Sequence, residues 1–193
     1  QLRGANVVAE TRPRLLVAGK TGQLGWELQT ALASVGDVVA LDRAQMDLTR
    51  ADSIRAALRL HKPDVIVNAA GYTTVDKAES EPALVRQVNS VAPGVIAEEA
   101  KRLDALLIHY STDYVYDGTK GAPYTEDDAP NPLNTYGKSK LAGEQAVTAA
   151  DCAHLILRAS WIYSDRGNNF VLAALKLARE RDSIAMVADQ VGS

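Results

Sequence analysis

Short, wholly apolar runs alternate along most of the chain with stretches whose apolar residues recur at helical spacing. Leu15–Ala18 is the first run and ends at Gly19. Leu24, Leu28, Ala31, Leu32 and Val35 then follow a helical period that Gly36 stops. Val38–Leu41 predicts a second strand, ending at Asp42. Thr49 with Asp52 predicts a capped helix start, and Lys62-Pro63 predicts its end. Val65–Val67 predicts a third strand, ending at Asn68. A long helix is expected from Ala83 to Leu103, bent near Pro93, because proline lacks an N–H and crowds the preceding turn. Leu106–Tyr110 predicts a fourth strand that runs out at Ser111-Thr112, and Leu155–Leu157 a fifth. Between them lie a loop over Asp117–Asn134, rich in Gly, Pro, Asp and Asn, and a helix from Tyr136 to about Ala149. Phe170–Glu180 reads as helix and Ile184–Val187 as a sixth strand.

Strands apolar along their whole length are buried on both faces, which is the signature of a parallel sheet. The alternation with helices therefore predicts an α/β fold, a doubly wound, Rossmann-like sheet. Ligands of such sheets sit beyond the carboxyl ends of the strands, where the strand order reverses. Residues 14–193 are expected to form one such domain, behind a loose leader over 1–13 that lacks the apolar segment of a secretory signal.

The composition narrows the function classes. Across 193 residues, 47% are apolar, 23% are charged and the net charge is -3. That balance suits a globular domain and argues against a broad basic surface for nucleic acid or an anionic membrane. No apolar run approaches the roughly 20 residues of a membrane span. Cys152 stands alone, and His61, His109 and His154 are scattered without metal-ligand spacing. The histidines are read as structural or surface groups, no metal site is expected, and the cytoplasm is the expected location.

Candidate chemistry gathers at the predicted strand ends. Gly19-Lys20-Thr21-Gly22-Gln23-Leu24-Gly25 joins the first strand to the first helix with G-x-x-G-x-x-G spacing. Gly19 permits a tight turn, Gly22 lets a pyrophosphate approach the backbone, and Gly25 lets helix and strand pack closely. The helix start, including Gln23 and Leu24, offers free N–H groups and a partial positive charge. A glycine-rich turn without a ligand is the plain alternative. Its place after the first strand of a β-α-β unit favours a dinucleotide. Asp42 can accept bonds from ribose hydroxyls, which favours NAD, whereas Arg43 can hold the 2′-phosphate of NADP. Both cofactors are expected, and a surface ion pair is the alternative. Asp47 and Leu48 could flank an adenine.

Tyr136 and Lys140 stand at i and i+4 and share one helical face. A free phenol titrates near 10, too high for proton exchange near neutrality, and an ammonium close by would lower that value. An exposed helical pair is the alternative. Ser111-Thr112-Asp113 at the end of the fourth strand brings a hydroxyl, and Asn89 lies in the preceding helix. Thr112 can hydrogen-bond a substrate carbonyl oxygen, and Tyr136 can protonate that oxygen as charge grows on it.

The stretches GKTGQLGWEL (19–28), PDVIVNAAGYTTVDKAESEP (63–82), HYSTDYVYDG (109–118), PLNTYGKSKLAGE (132–144) and RASWIYSDRGNNF (158–170) resemble the extended short-chain dehydrogenase/reductase family. More narrowly, they are similar to its members that act on nucleotide-linked sugars. The resemblance implies NADPH- or NADH-dependent reduction of a 4-keto group on a dTDP-linked deoxysugar, made for surface polysaccharide. It makes Tyr136 the proton donor and Lys140 its partner, with Lys140 also reaching the nicotinamide ribose. Thr112 takes the position that classical members give to serine. Thr112, Asp113, Trp161 and Val75 fall where the family meets the sugar nucleotide, although Trp161 could instead be a core aromatic. Ala70-Gly71-Tyr72 matches a cofactor-lining segment, with Gly71 where alanine is usual. The family continues past the motif begun at Asp189–Ser193 into a carboxyl-terminal substrate domain, so this chain is expected to lack that domain. A homodimer stays open. Two alternatives also stay open: a non-catalytic regulatory subunit on the same fold, and a related sugar-nucleotide epimerase or dehydratase. Tyr114, where dehydratases often place a second acid, weighs against the dehydratase.

Overall fold

The computed structural model describes residues 12–185. Most of the expected leader and the end of the expected sixth strand lie outside those residues. Ile184 and Ala185, the first half of that strand, are described and carry no strand pairing.

Five strands form one all-parallel sheet among the described residues: β1 (Arg14–Ala18), β2 (Asp37–Leu41), β3 (Val65–Asn68), β4 (Leu106–Thr112) and β5 (His154–Ala159), in the order β2-β1-β3-β4-β5. The chain moves outward from β1 to β2 and then crosses back to β3 on the other side of β1. That reversal is the switch point. Right-handed crossovers in opposite directions put α1 (Gln23–Leu32) on one face, and α2 (Ala51–His61), α5 (Ala92–Leu103) and α6 (Thr135–Ala149) on the other. Packing of α2 on α5 and of α5 on α6 makes those three a single layer. The core is built where the layers meet, from Leu16 and Ile66 of the sheet, Ile54 and Leu58 of α2, Ile96 of α5 and Val147 of α6. β5 is only half-buried, and α7 (Phe170–Glu180) buries no residue.

The start of α2 corrects one expectation. Arg50, not Thr49, is the N-cap, and it makes no side-chain cap bond. The Thr49 hydroxyl donates instead to Asp47 Oδ1 at 2.8 Å. A short polar side chain two residues beyond an aspartate closes a local turn more readily than it reaches forward to a helix. At the other end, Lys62 takes the left-handed conformation at the C-cap, before Pro63.

The helix expected over residues 83–103 is three pieces in one run: α4 (Pro82–Arg86), a π-helical segment (Gln87–Val91) and α5. The short helix α3 (Val75–Ala78) precedes it and has no signal in the periodicity. The π-segment lies directly before Pro93. Proline has no N–H to offer the carbonyl four residues back, which is that of Asn89. That carbonyl faces Gly143 of α6, where a Cβ would fall 2.2 Å from it. The bend that proline imposes thus lets α6 press against the bulge.

Candidate active site

The glycine turn opens at the switch point. Gly19 sits at φ +92, and a Cβ there would meet Ala70 of the β3 end at 3.0 Å. Its N–H donates to the Leu41 carbonyl at the end of β2, so one residue joins three strand ends. A Cβ at Gly25 would fall 2.1 Å from the Gly19 carbonyl oxygen, which keeps the first turn of α1 tight against β1. At Gly22 a Cβ would meet only that same oxygen, at 3.3 Å, so the outer face of the turn is open. Gly22 is also the N-cap of α1, with no side-chain cap bond and no acid in the first turn. The N–H groups of Gln23 and Leu24 therefore belong to an uncapped, uncountered helix start. This cradle fits the phosphates of a dinucleotide.

Asp42 and Arg43 follow at the end of β2. Lys20 Nζ lies 3.0 Å from Asp42 Oδ2 and also donates to Gln45 Oε1 at 2.6 Å. The bond from Lys20 is the chief cause that holds the Asp42 carboxyl below its ordinary range. Arg43 is largely exposed and 3.7 Å from Asp47. Lys20 is thus a second cation at this acid, and the reading of the glycine spacing passed over it. Asp47 is occupied by Thr49, whose backbone N–H and hydroxyl hold its carboxyl low. Leu48 is buried in the core and leaves little open face for a ring.

Ala70-Gly71-Tyr72 leaves β3 beside Asn89. The Asn89 side chain accepts from the Tyr72 N–H at 2.8 Å and donates to the Tyr72 carbonyl at 3.0 Å and to Ser139 Oγ of α6 at 3.1 Å. A Cβ at Gly71 would stand 3.2 Å from Asn89 Oδ1, so glycine leaves this clamp room. The Tyr72 hydroxyl turns away and donates to Glu81 at 2.7 Å.

Thr112 and Tyr136 meet at the carboxyl edge. Tyr136, in the first turn of α6, is 9% exposed and packs with Ala78 and Val85, flanked by Tyr72 and Val75. Asn134 caps α6 by accepting from the Gly137 N–H at 2.7 Å. Burial is the main influence on the phenol and pushes its pKa up, while a hydrogen bond with Thr112 acts in the opposite direction. Thr112, 4% exposed, also accepts from the Tyr114 N–H at 3.2 Å and lies 3.1 Å from Asp113 Oδ1.

Lys140 lies one turn along the same helix face, 5% exposed, and donates to the Tyr110 carbonyl at 2.6 Å. Burial pulls its ammonium down to about 8, against the field of Glu144. The expected lowering of the phenol by the lysine is therefore not what this arrangement shows. Desolvation weakens both charged forms, and the lysine spends a proton on a backbone carbonyl.

Behind Lys140, Glu144 is 5% exposed and accepts from Ser111 and, through two bonds of 3.0 and 2.6 Å, from Arg158 of β5. His109, buried in β4, has its Nδ1 3.1 Å from Asn68 Nδ2, and burial drives its pKa down to about 3. Trp161, beyond β5, is 47% exposed, edge-on to Phe170, and held at φ +51. It is not a core aromatic.

Comparison with known proteins follows the same lines. A protein-family model described as RmlD substrate binding domain matches residues 13–193. The chain is 48% identical over 180 residues to the dTDP-4-dehydrorhamnose reductase of Burkholderia thailandensis, covering 93% of this chain and 60% of that protein. It is also 48% identical over 183 residues to the enzyme of the same name from Salmonella typhimurium, covering 93% and 61%. It therefore spans about three fifths of these relatives' length. Among solved structures, the dTDP-4-dehydrorhamnose reductase of Bacillus anthracis in complex with NADP superposes with a TM-score of 0.90 at 36% identity, over 93% of this chain and 64% of that one. The uncapped glycine turn, the Thr112–Tyr136 contact and the sequence match all point one way: the chain belongs to the RmlD substrate binding domain family, among relatives named dTDP-4-dehydrorhamnose reductase.

Proposed function

We propose that residues 14–193 form the dinucleotide-binding domain of a reductase that converts dTDP-4-dehydro-β-L-rhamnose to dTDP-L-rhamnose with NADPH or NADH. The observation that carries this reading is the gathering of Thr112, Tyr136 and Lys140, all buried, at the carboxyl edge of the sheet, where Gly137 packs against the turn after β4 and the glycine turn also opens. The two relatives and the solved NADP complex bear the reductase name, which supports the substrate and the cofactor.

The reduced nicotinamide supplies the hydride. Gly22, Gln23, Leu24 and Gly25 cradle the phosphates, Asp42 takes the adenosine ribose, and Lys20 and Arg43 face a 2′-phosphate. Ala70, Gly71 and Tyr72 line the cofactor from β3, and Asp47 lies on the adenine side, with Leu48 behind it in the core. Thr112 donates to the substrate's keto oxygen and holds it beside the Tyr136 phenol. Burial keeps that phenol protonated, so it delivers a proton to the oxygen as negative charge develops there. Lys140, tied to the Tyr110 carbonyl, steadies the phenolate left behind and reaches the nicotinamide ribose. Asp113, Val75 and Trp161 lie around the sugar.

The test is an assay of the full-length protein with dTDP-4-dehydro-β-L-rhamnose. Oxidation of NADPH or NADH in step with dTDP-L-rhamnose supports the reductase. An altered sugar with unchanged cofactor would point to an epimerase or dehydratase. No turnover together with a stable complex with another enzyme would point to a regulatory subunit.

A further inference from the structure

The loop between β5 and α7 crosses the mouth of the glycine turn and carries a cation there. Arg166 places its guanidinium 4.3 Å from the centre of the Trp26 ring of α1. Together with Gly167 it walls a cleft of about 160 Å³ whose other side is Thr21, Gly22, Gln23 and Trp26. The loop is fastened to the turn. Asn169 Nδ2 lies 3.2 Å from Gln23 Oε1 and donates to the Ser164 and Arg166 carbonyls at 2.9 and 3.1 Å. Gly167, at φ +73, brings the chain so near that a Cβ would stand 3.3 Å from Gln23 Oε1. The charge itself is little neutralised. Its ion pair among the described residues is with the adjacent, exposed Asp165 at 3.8 Å.

We propose that Arg166 is a diphosphate clamp, closing over the bridging phosphates of a dinucleotide cradled by Gly22 and Gln23. The clamp rests on the dinucleotide reading above. Three features carry it. The cleft is bounded on one side by the uncapped helix start and on the other by a guanidinium, so donors converge from two elements. Contact with the Trp26 ring holds the guanidinium at the mouth of the turn, within reach of a phosphate to which it can make two parallel bonds. The tether from Asn169 to Gln23 sets the loop at the turn before any ligand arrives, so little ordering is left for binding.

A diphosphate also occurs in the sugar nucleotide, and position separates the two sources. The cleft lies at the glycine turn, at the amino end of α1, whereas the sugar side of the site is built around Thr112 and Tyr136. The cofactor is therefore the occupant assigned.

The experiment is titration of NADPH, NADH, ADP-ribose and dTDP onto the protein and its Arg166→Ala, Arg166→Gln and Arg166→Lys variants, at low and moderate salt. The clamp predicts that Ala and Gln weaken NADPH, NADH and ADP-ribose by one common factor of about ten, equivalent to about 1.4 kcal/mol. Lys keeps the charge but not the paired bonds, so it should recover only part of the affinity, and the salt dependence should flatten in Ala and Gln. Binding of dTDP should be unchanged. Unchanged dinucleotide affinity, a loss confined to NADPH, or a loss confined to dTDP would each overturn the clamp and leave the dinucleotide reading standing. A wild-type protein that binds none of NADPH, NADH and ADP-ribose would overturn that reading itself.

Discussion

Gly137 of α6 lies so close to the turn after β4 that a Cβ at its position would fall 2.2 Å from the carbonyl oxygen of Tyr114. This approach brings Tyr136 toward Thr112, since Tyr136 directly precedes Gly137 and Thr112 lies two residues before Tyr114. Replacing Gly137 with alanine must push α6 away from the turn. The expected cost is about 1–3 kcal/mol of stability, as for other overpacked contacts, with a further loss of reduction rate from the displaced phenol. Denaturant unfolding and cofactor oxidation measured on one preparation check both effects. Wild-type values for both would show that the contact is not tight.

Tyr136→Phe keeps the ring that packs with Ala78 and Val85 but removes the hydroxyl that meets Thr112. Reduction is expected to fall by roughly 100- to 10,000-fold, the usual range for losing a positioned proton donor. Affinity for NADPH should stay nearly the same. Turnover near that of the unaltered enzyme would remove Tyr136 from the chemistry.

Lys140 gives a pH dependence with a definite sign. Its ammonium titrates at about 8 when buried, against an ordinary value of 10.5. Between those values the unfolded chain binds the proton more tightly, so stability should rise with pH from about 8 to about 10.5. A Lys140→Met variant should show a flatter profile across that window. Unfolding midpoints taken at several pH values measure it, and an unchanged slope would mean that Lys140 is not desolvated.

Glu144→Ala leaves the half-buried Arg158 without its carboxylate and Ser111 without its acceptor. Breaking a buried pair from one side costs about 3–5 kcal/mol. The lower end is expected, because the Arg158 side chain keeps 25% of its surface in solvent. Urea unfolding reads the loss directly.

Arg43→Ala separates the two cofactors. Among the described residues the exposed guanidinium pairs with Asp47 at 3.7 Å, which leaves it able to meet a 2′-phosphate. NADPH should weaken about fivefold, roughly 1 kcal/mol for an exposed ion pair, and NADH should be unaffected. Equal losses for the two would assign Arg43 another role.

The sequence alone determined the α/β class, the first five strands, the glycine turn and the Tyr136/Lys140 pair. These are local properties: an apolar run of strand length, a glycine spacing between strand and helix, and a four-residue offset on one helix face. It also named Thr112, because that residue ends an apolar strand. What local pattern could not carry was the set of distances set by other elements. The approach of Gly143 to the Asn89 carbonyl, the Asn89 clamp on Tyr72 and Ser139, and the approach of Gly137 to Tyr114 each join residues far apart in the chain. The same holds for electrostatics. Spacing predicted that Lys140 would lower the Tyr136 pKa, but burial of both groups and a bond to the Tyr110 carbonyl decide the balance. Charge depends on solvent exposure and on the nearest partner, and both exist only once the helices have packed against the sheet.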